Sequence, residues 1–186
     1  LYGAYISGTL DLVNGTIPGN MLLNGCRFQR KISASRSTWA GDLRLATCAL
    51  PALFAEGATI HGQLVCKGTT FDSPDGKALS LQNAQIKDTL FLSKATVNGT
   101  AHLIGAKSGG QLACDGATFS TPQGKALNLQ IAEITGGLYL RALAKIDGTL
   151  DLTGTKTSTL VDAPQCWPAA DTLILAGFIY DRIIGA

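Results

Sequence analysis

Few side chains in this sequence could carry chemistry. The five cysteines are Cys26, Cys48, Cys66, Cys114 and Cys166. A zinc or dithiol redox site needs them in CxxC or Cys/His spacing, and no CxxC occurs. They read as small core hydrophobes with free thiols. A disulfide between Cys26 and Cys48 would require the fold to stack them as neighbours. His61 and His102 lie far apart in sequence. A catalytic imidazole needs a partner within hydrogen-bond reach, and no Ser/His/Asp arrangement is suggested. Asp11, Asp115 and Asp151 are too sparse to make a carboxylate pair. The 22 glycines form no GxGxxG between a strand and a helix, as a dinucleotide site requires. No catalytic residue, metal ligand or cofactor follows from these residues.

The elements that must position these side chains follow from a repeat. Residues 62–82 read GQLVCKGTTFDSPDGKALSLQ, and residues 110–130 read GQLACDGATFSTPQGKALNLQ. Similar units recur throughout, as in ISGTLDL, VNGTAHL, ITGGLYL and IDGTLDL. Numbering each unit from the first residue of its apolar pair, position 2 is Leu or Cys, position 5 is small, and position 7 is Ile, Val or aromatic. Units start at residues 10, 21, 32, 43, 53, 64, 79, 90, 101, 112, 127, 138 and 150. The basic step is 11 residues.

An 11-residue apolar step can also mark a right-handed helical coiled coil. Glycine in almost every unit would cost a helix about 1 kcal/mol each time. The apolar residues also alternate locally, which is the strand period. Each unit is therefore two short strands, with positions 0, 2, 5 and 7 facing inward. One unit cannot bury its own apolar face, so the units must stack. Two units make a coil of about 22 residues with four sides, and parallel crossovers favour right-handed winding. The expected fold is all-β, a right-handed parallel β-helix (quadrilateral β-solenoid), over residues 1–186 as one domain. About seven coils would stack to a rod of roughly 35 Å.

This frame assigns a place to each candidate. Cys66 and Cys114 fall at inward position 2. Cys26 and Cys48 fall at position 5, one coil apart, and Cys166 continues their column. Trp39 takes inward position 7, and Phe28, Phe71 and Phe119 form an internal stack with Leu50 and Val97. Leu90, Leu92, Ala95 and Val97 are expected inside, with Lys94 and Asn98 exposed. Both histidines and Asp11, Asp115 and Asp151 face solvent. The copied loops 72–78 and 120–126 each add four residues and should project from one edge, two coils apart. Lys77 and Lys125 on those loops, with Trp167, are the expected partner contacts.

Composition narrows the function classes. The net charge of +2, with both signs scattered, offers no nucleic-acid groove. The longest uncharged apolar stretch, residues 45–55, is too short for a membrane span and contains Pro51. The chain opens inside the repeat pattern without an initiator Met, which reads as a fragment of a longer chain.

The small-then-large alternation five residues apart resembles the pentapeptide-repeat proteins, which are right-handed quadrilateral β-helices. Sides of five and six residues alternate here, so the match is to a relative of that pattern. CWPAADTLILAGFIYDRI, residues 166–183, resembles the end of the repeat region in a bacterial family labelled membrane-associated oxidoreductases, where a helical tail follows. That resemblance implies redox chemistry outside this segment and a membrane association. The residues themselves point to a cytoplasmic, non-catalytic scaffold or protein-interaction module with an unknown protein partner. The alternative is the repeat region of an oxidoreductase whose catalytic part lies elsewhere. Self-association through open coil ends is a third expectation.

Overall fold

In the computed structural model, which describes residues 1–142 and 144–185, the apolar pairs become very short strands, all paired in parallel. Two position-0 columns run the length of the rod. One joins Leu10, Ile32, Leu53, Leu79, Ala101, Leu127, Leu150 and Leu173. The other joins Met21, Leu43, Leu64, Leu90, Leu112, Leu138, Leu160 and Ile183. Two further columns, through Thr16–Ile17 and Arg27–Phe28, complete four sides. Most coils hold 21–23 residues, as Tyr5↔Arg27, Thr38↔Thr59 and Leu150↔Leu173 show. The two loop-bearing coils are longer: Leu53 pairs with Leu79, and Ala101 with Leu127.

Eight coils stack, one more than the regular units indicate. The last coil escapes the sequence pattern because residues 163–172 abandon it. Two 3-10 turns, Pro164–Cys166 and Ala170–Thr172, replace the strand expected there. These turns are the only helical elements among the described residues, and none of those residues form a helix long and apolar enough to cross a membrane.

The inward set is buried as the register requires. Leu92, Ala95 and Val97 are fully buried and Leu90 nearly so, while Lys94 is exposed. Asn98 departs from expectation. It is half-buried, because its amide donates to Asp72 Oδ1 of the neighbouring coil at 2.7 Å. Phe28, Leu50, Phe71, Val97 and Phe119 stack inside as one column. Trp39 is fully buried, and its indole donates to Ser37 Oγ at 2.7 Å.

The regular units turn at position 4, where the chain enters the left-handed region. Gly25, Gly57, Gly68, Gly105, Gly116 and Gly154 fill it in some units, and Asn14, Arg36, Thr47, Asn83, Lys94, Ile131 and Ala142 in others. The turn closes when the position-5 N–H bonds the position-2 carbonyl, as Ala58 does to Ala55 and Ala84 to Leu81. Position 5 is small because it sits inside this tight turn. A second device works just before the apolar pair. Asn20 Oδ1 accepts the N–H of Asp42 at 2.7 Å, and Asp42 Oδ1 accepts that of Gln63 at 2.8 Å. Gly41 and Gly62 leave room there, since an added Cβ would strike those same side-chain oxygens.

Candidate functional site

The structure places the cysteines in the interior, all five buried and unbridged. The position-5 thiols are donors to the coil before them. Cys48 Sγ lies 3.4 Å from Leu23 O, and Cys26 Sγ lies 3.7 Å from Leu1 O. Thr69 makes the equivalent bond to Leu45 O. Cys166 closes its turn by an N–H bond to Ala163 O, as Ala117 does to Cys114 O. Burial pushes the Cys66 and Cys114 thiols far up, so neither is a nucleophile at neutral pH. Among the described residues, no three or more His, Cys, Asp or Glu gather as a metal ion would need.

The two copied loops share one corner, because Leu79, Ala101 and Leu127 are register neighbours. Lys77 and Lys125 therefore lie on one edge, two coils or about 10 Å apart. The loops do not project freely. Each continues a strand of 11 residues, Thr70–Ser80 or Thr118–Asn128, and folds over a glycine of the next coil. Lys77 pairs with Thr100 and Lys125 with Thr149, so Gly99 and Gly148 are passed over. An added Cβ at either glycine would meet loop carbonyls, those of Ser73 and Gly76 or of Thr121 and Gly124.

Neither lysine is an uncompensated charge. Lys77 Nζ lies 3.6 Å from Glu56 Oε1, which also accepts from Ser80 Oγ at 2.6 Å. Lys125 Nζ lies 2.7 Å from Asp151 Oδ2. Asp151, expected in solvent, is instead buried beneath Lys125, with its side chain 1% exposed. Burial pushes its carboxyl up, but Lys125 and two bonds from Thr153 outweigh that and hold it below the usual range. His102 stands between the loops. Burial, and then the Lys77 ammonium, pull its imidazole below the ordinary range, so it is neutral at pH 7. Trp167 is half-buried against the core rather than exposed, and its indole donates to Asp162 Oδ2 at 2.5 Å.

A surface that the sequence reading missed lies on the opposite side of the rod. Position 1 of each unit faces outward. On the loop side this column carries polar residues at Ser80, His102, Asn128 and Asp151, between Phe54 and Ile174. On the other side register pairs align Val65, Phe91, Ala113, Tyr139 and Val161. This is an apolar stripe parallel to the rod axis, on the outside of the sheet. Val65, Ala113 and Val161 are buried, and the two rings, Phe91 and Tyr139, are half-buried. The Arg141 guanidinium lies 5.0 Å from the centre of the Tyr139 ring and bonds Asp115 Oδ1 at 2.6 Å. Further along, Arg44 bonds Asp42 Oδ2 at 2.8 Å and Gln63 Oε1 at 3.1 Å. The same side continues into a groove of about 390 Å³ between Asn20, Leu22, Asn24, Asp42, Arg44 and Ala46. Its charges are closed among themselves, leaving an apolar track with polar, neutralised margins. Position 1 carried the missed signal, since from residue 65 to 161 it is apolar in one set of alternate units and polar in the other, while Phe54 and Arg44 break that rule nearer the start.

Comparison with family models and with curated proteins finds no match to the chain.

Proposed function

We propose that this chain is a non-catalytic β-solenoid scaffold that binds a protein partner along the outward stripe of Val65, Phe91, Ala113, Tyr139 and Val161. The observation that carries this reading is the stripe's register: outward apolar residues aligned coil after coil on a rigid sheet. Aromatic and aliphatic residues grouped on a surface mark interaction sites more often than scattered ones do. The ion-paired loop edge is the weaker candidate, because a partner would have to break Lys77–Glu56 and Lys125–Asp151 to use the lysines.

The finer kinship proposed is with pentapeptide-repeat-like solenoids. The small-then-large alternation supports it. So does the resemblance of residues 166–183 to the repeat end of the family labelled membrane-associated oxidoreductases. Redox chemistry, on this reading, belongs to other parts of such proteins. Five unbridged thiols suit a reducing compartment and support a cytoplasmic setting.

The test uses immobilised chain in three forms: wild type, Phe91→Ser/Tyr139→Ser, and Lys77→Ala/Lys125→Ala. A specific partner should be retained by the wild type and the lysine variant and lost from the stripe variant. Circular dichroism should report the same fold for all three. Loss from the lysine variant alone would move the contact to the loop edge and overturn this reading.

A further inference from the structure

Resting on the stripe as the binding face, we propose that its occupant is a proline-rich segment of a partner protein, extended along the rod axis in polyproline II conformation. The two aromatic residues of the stripe, Phe91 and Tyr139, are register neighbours of the same Ala113. Their backbones are therefore two coils apart, about 9.6 Å at the ordinary interstrand spacing. Small Ala113 makes a gap between two rings.

A polyproline II helix has three residues per turn and rises about 3.1 Å per residue. It presents the same face about every 9.3 Å, in step with ring, gap and ring. A β-strand repeats its face about every 6.6–6.8 Å, so its second contact would fall over the gap. Residues i and i+3 of the segment would rest on Phe91 and Tyr139, with the intervening pair crossing above Ala113.

The polar margins match the same ligand. Proline has a carbonyl and no N–H, so a proline-rich chain asks only for donors. Tyr139 offers its hydroxyl, Gln111 an exposed amide and Arg141 its guanidinium. Of the nearby carboxylates, Asp115 is engaged by Arg141 and Asp42 by Arg44, while Asp88 accepts from Gln63 and Thr89. The track thus presents donors and apolar rings between margins whose arginines are paired, which complements an uncharged acceptor-rich chain. Aromatic-lined grooves with these properties are a general mode of proline-rich recognition.

The experiment titrates the full chain with a ten-residue polyproline peptide and follows backbone amides by NMR. Two further probes are a Gly/Ser peptide of equal length and a cello-oligosaccharide. The polyproline peptide should shift amides of residues 89–93, 111–115 and 137–141, and the Gly/Ser peptide should not. Phe91→Ser and Tyr139→Ser should each weaken binding by about tenfold. Tyr139→Phe, which keeps the ring, should weaken it less, and Lys77→Ala/Lys125→Ala should leave it unchanged. Absence of polyproline binding, or binding indifferent to Phe91 and Tyr139, overturns the proposal. Binding of the oligosaccharide alone at these amides also overturns it, while keeping the stripe as the binding face. The stripe itself fails only if a partner captured by the wild type is retained by Phe91→Ser/Tyr139→Ser.

Discussion

Ile131 is the residue whose backbone most contradicts its side chain. It holds the left-handed position 4 with φ of 51° and is 61% exposed. A β-branched residue there is a genuine outlier, and the left-handed form costs an L-residue about 1–2 kcal/mol. Its neighbours in the same column, Gly105 and Gly154, hold that conformation without a Cβ. Replacing Ile131 with Gly should therefore stabilise the fold by about 0.5–1 kcal/mol, after the entropy glycine loses on folding. A urea midpoint that moved down would contradict the turn geometry. Asp151 gives a second prediction at this scale. Its carboxyl is held below the usual range in the folded chain, so its contribution to stability is present above about pH 4 and is lost as pH falls through the folded value. Lys125→Met leaves a buried carboxylate with only its Thr153 bonds, which should cost about 1–3 kcal/mol at pH 7. The gap between variant and parent should close as pH is lowered from 7 through the folded value, below which the acid is protonated in both states. A gap of the same size above and below that value would mean that the lysine acts through packing alone.

The coil is legible in the sequence because it rests on spacing. Inward positions 0, 2, 5 and 7 name Leu90, Leu92, Ala95 and Val97, and all four are buried. Leu92→Ala should open a core cavity and cost about 2–5 kcal/mol; an unchanged denaturation midpoint would contradict the register. What spacing could not convey is how loops and corners close. Asn98 is half-buried, and Asp151 is covered, because a loop from an adjoining coil reaches them. Such contacts join residues 26 apart and leave no mark on the local pattern. Glycine was likewise visible as punctuation, but its reasons differ by position. Gly99 and Gly148 have φ of 114° and 122° and lie under loop carbonyls. Gly99→Ala and Gly148→Ala should each cost about 1–3 kcal/mol. Gly76→Ala, which meets only an ordinary contact with Ser73 Oγ, should stay within about 0.5 kcal/mol. Equal losses at all three would show that the loops are not docked on those glycines.

At the scale of the molecule, the rod gives every side chain a column and a side, and function must be read from the columns that face out. Lys77 and Lys125 were legible as a shared edge, but their ion pairs were not, since Glu56 and Asp151 come from other coils. Trp167 was legible as a large aromatic outside the regular pattern; its bond to Asp162 depends on the 3-10 turn that breaks that pattern. The stripe was written at position 1 of alternate units, where Val65, Phe91, Ala113 and Tyr139 sit two units apart. It becomes a surface only when parallel pairing brings those units together. The central claim is that this stripe, on the side away from the copied loops, is where the partner binds. Hydroxyl-radical footprinting of the chain with and without its captured partner tests it most directly. The account predicts that Phe91 and Tyr139 are protected in the complex while Lys77 and Lys125 react as in the free chain. Protection of the lysine edge with Phe91 and Tyr139 unchanged would contradict it.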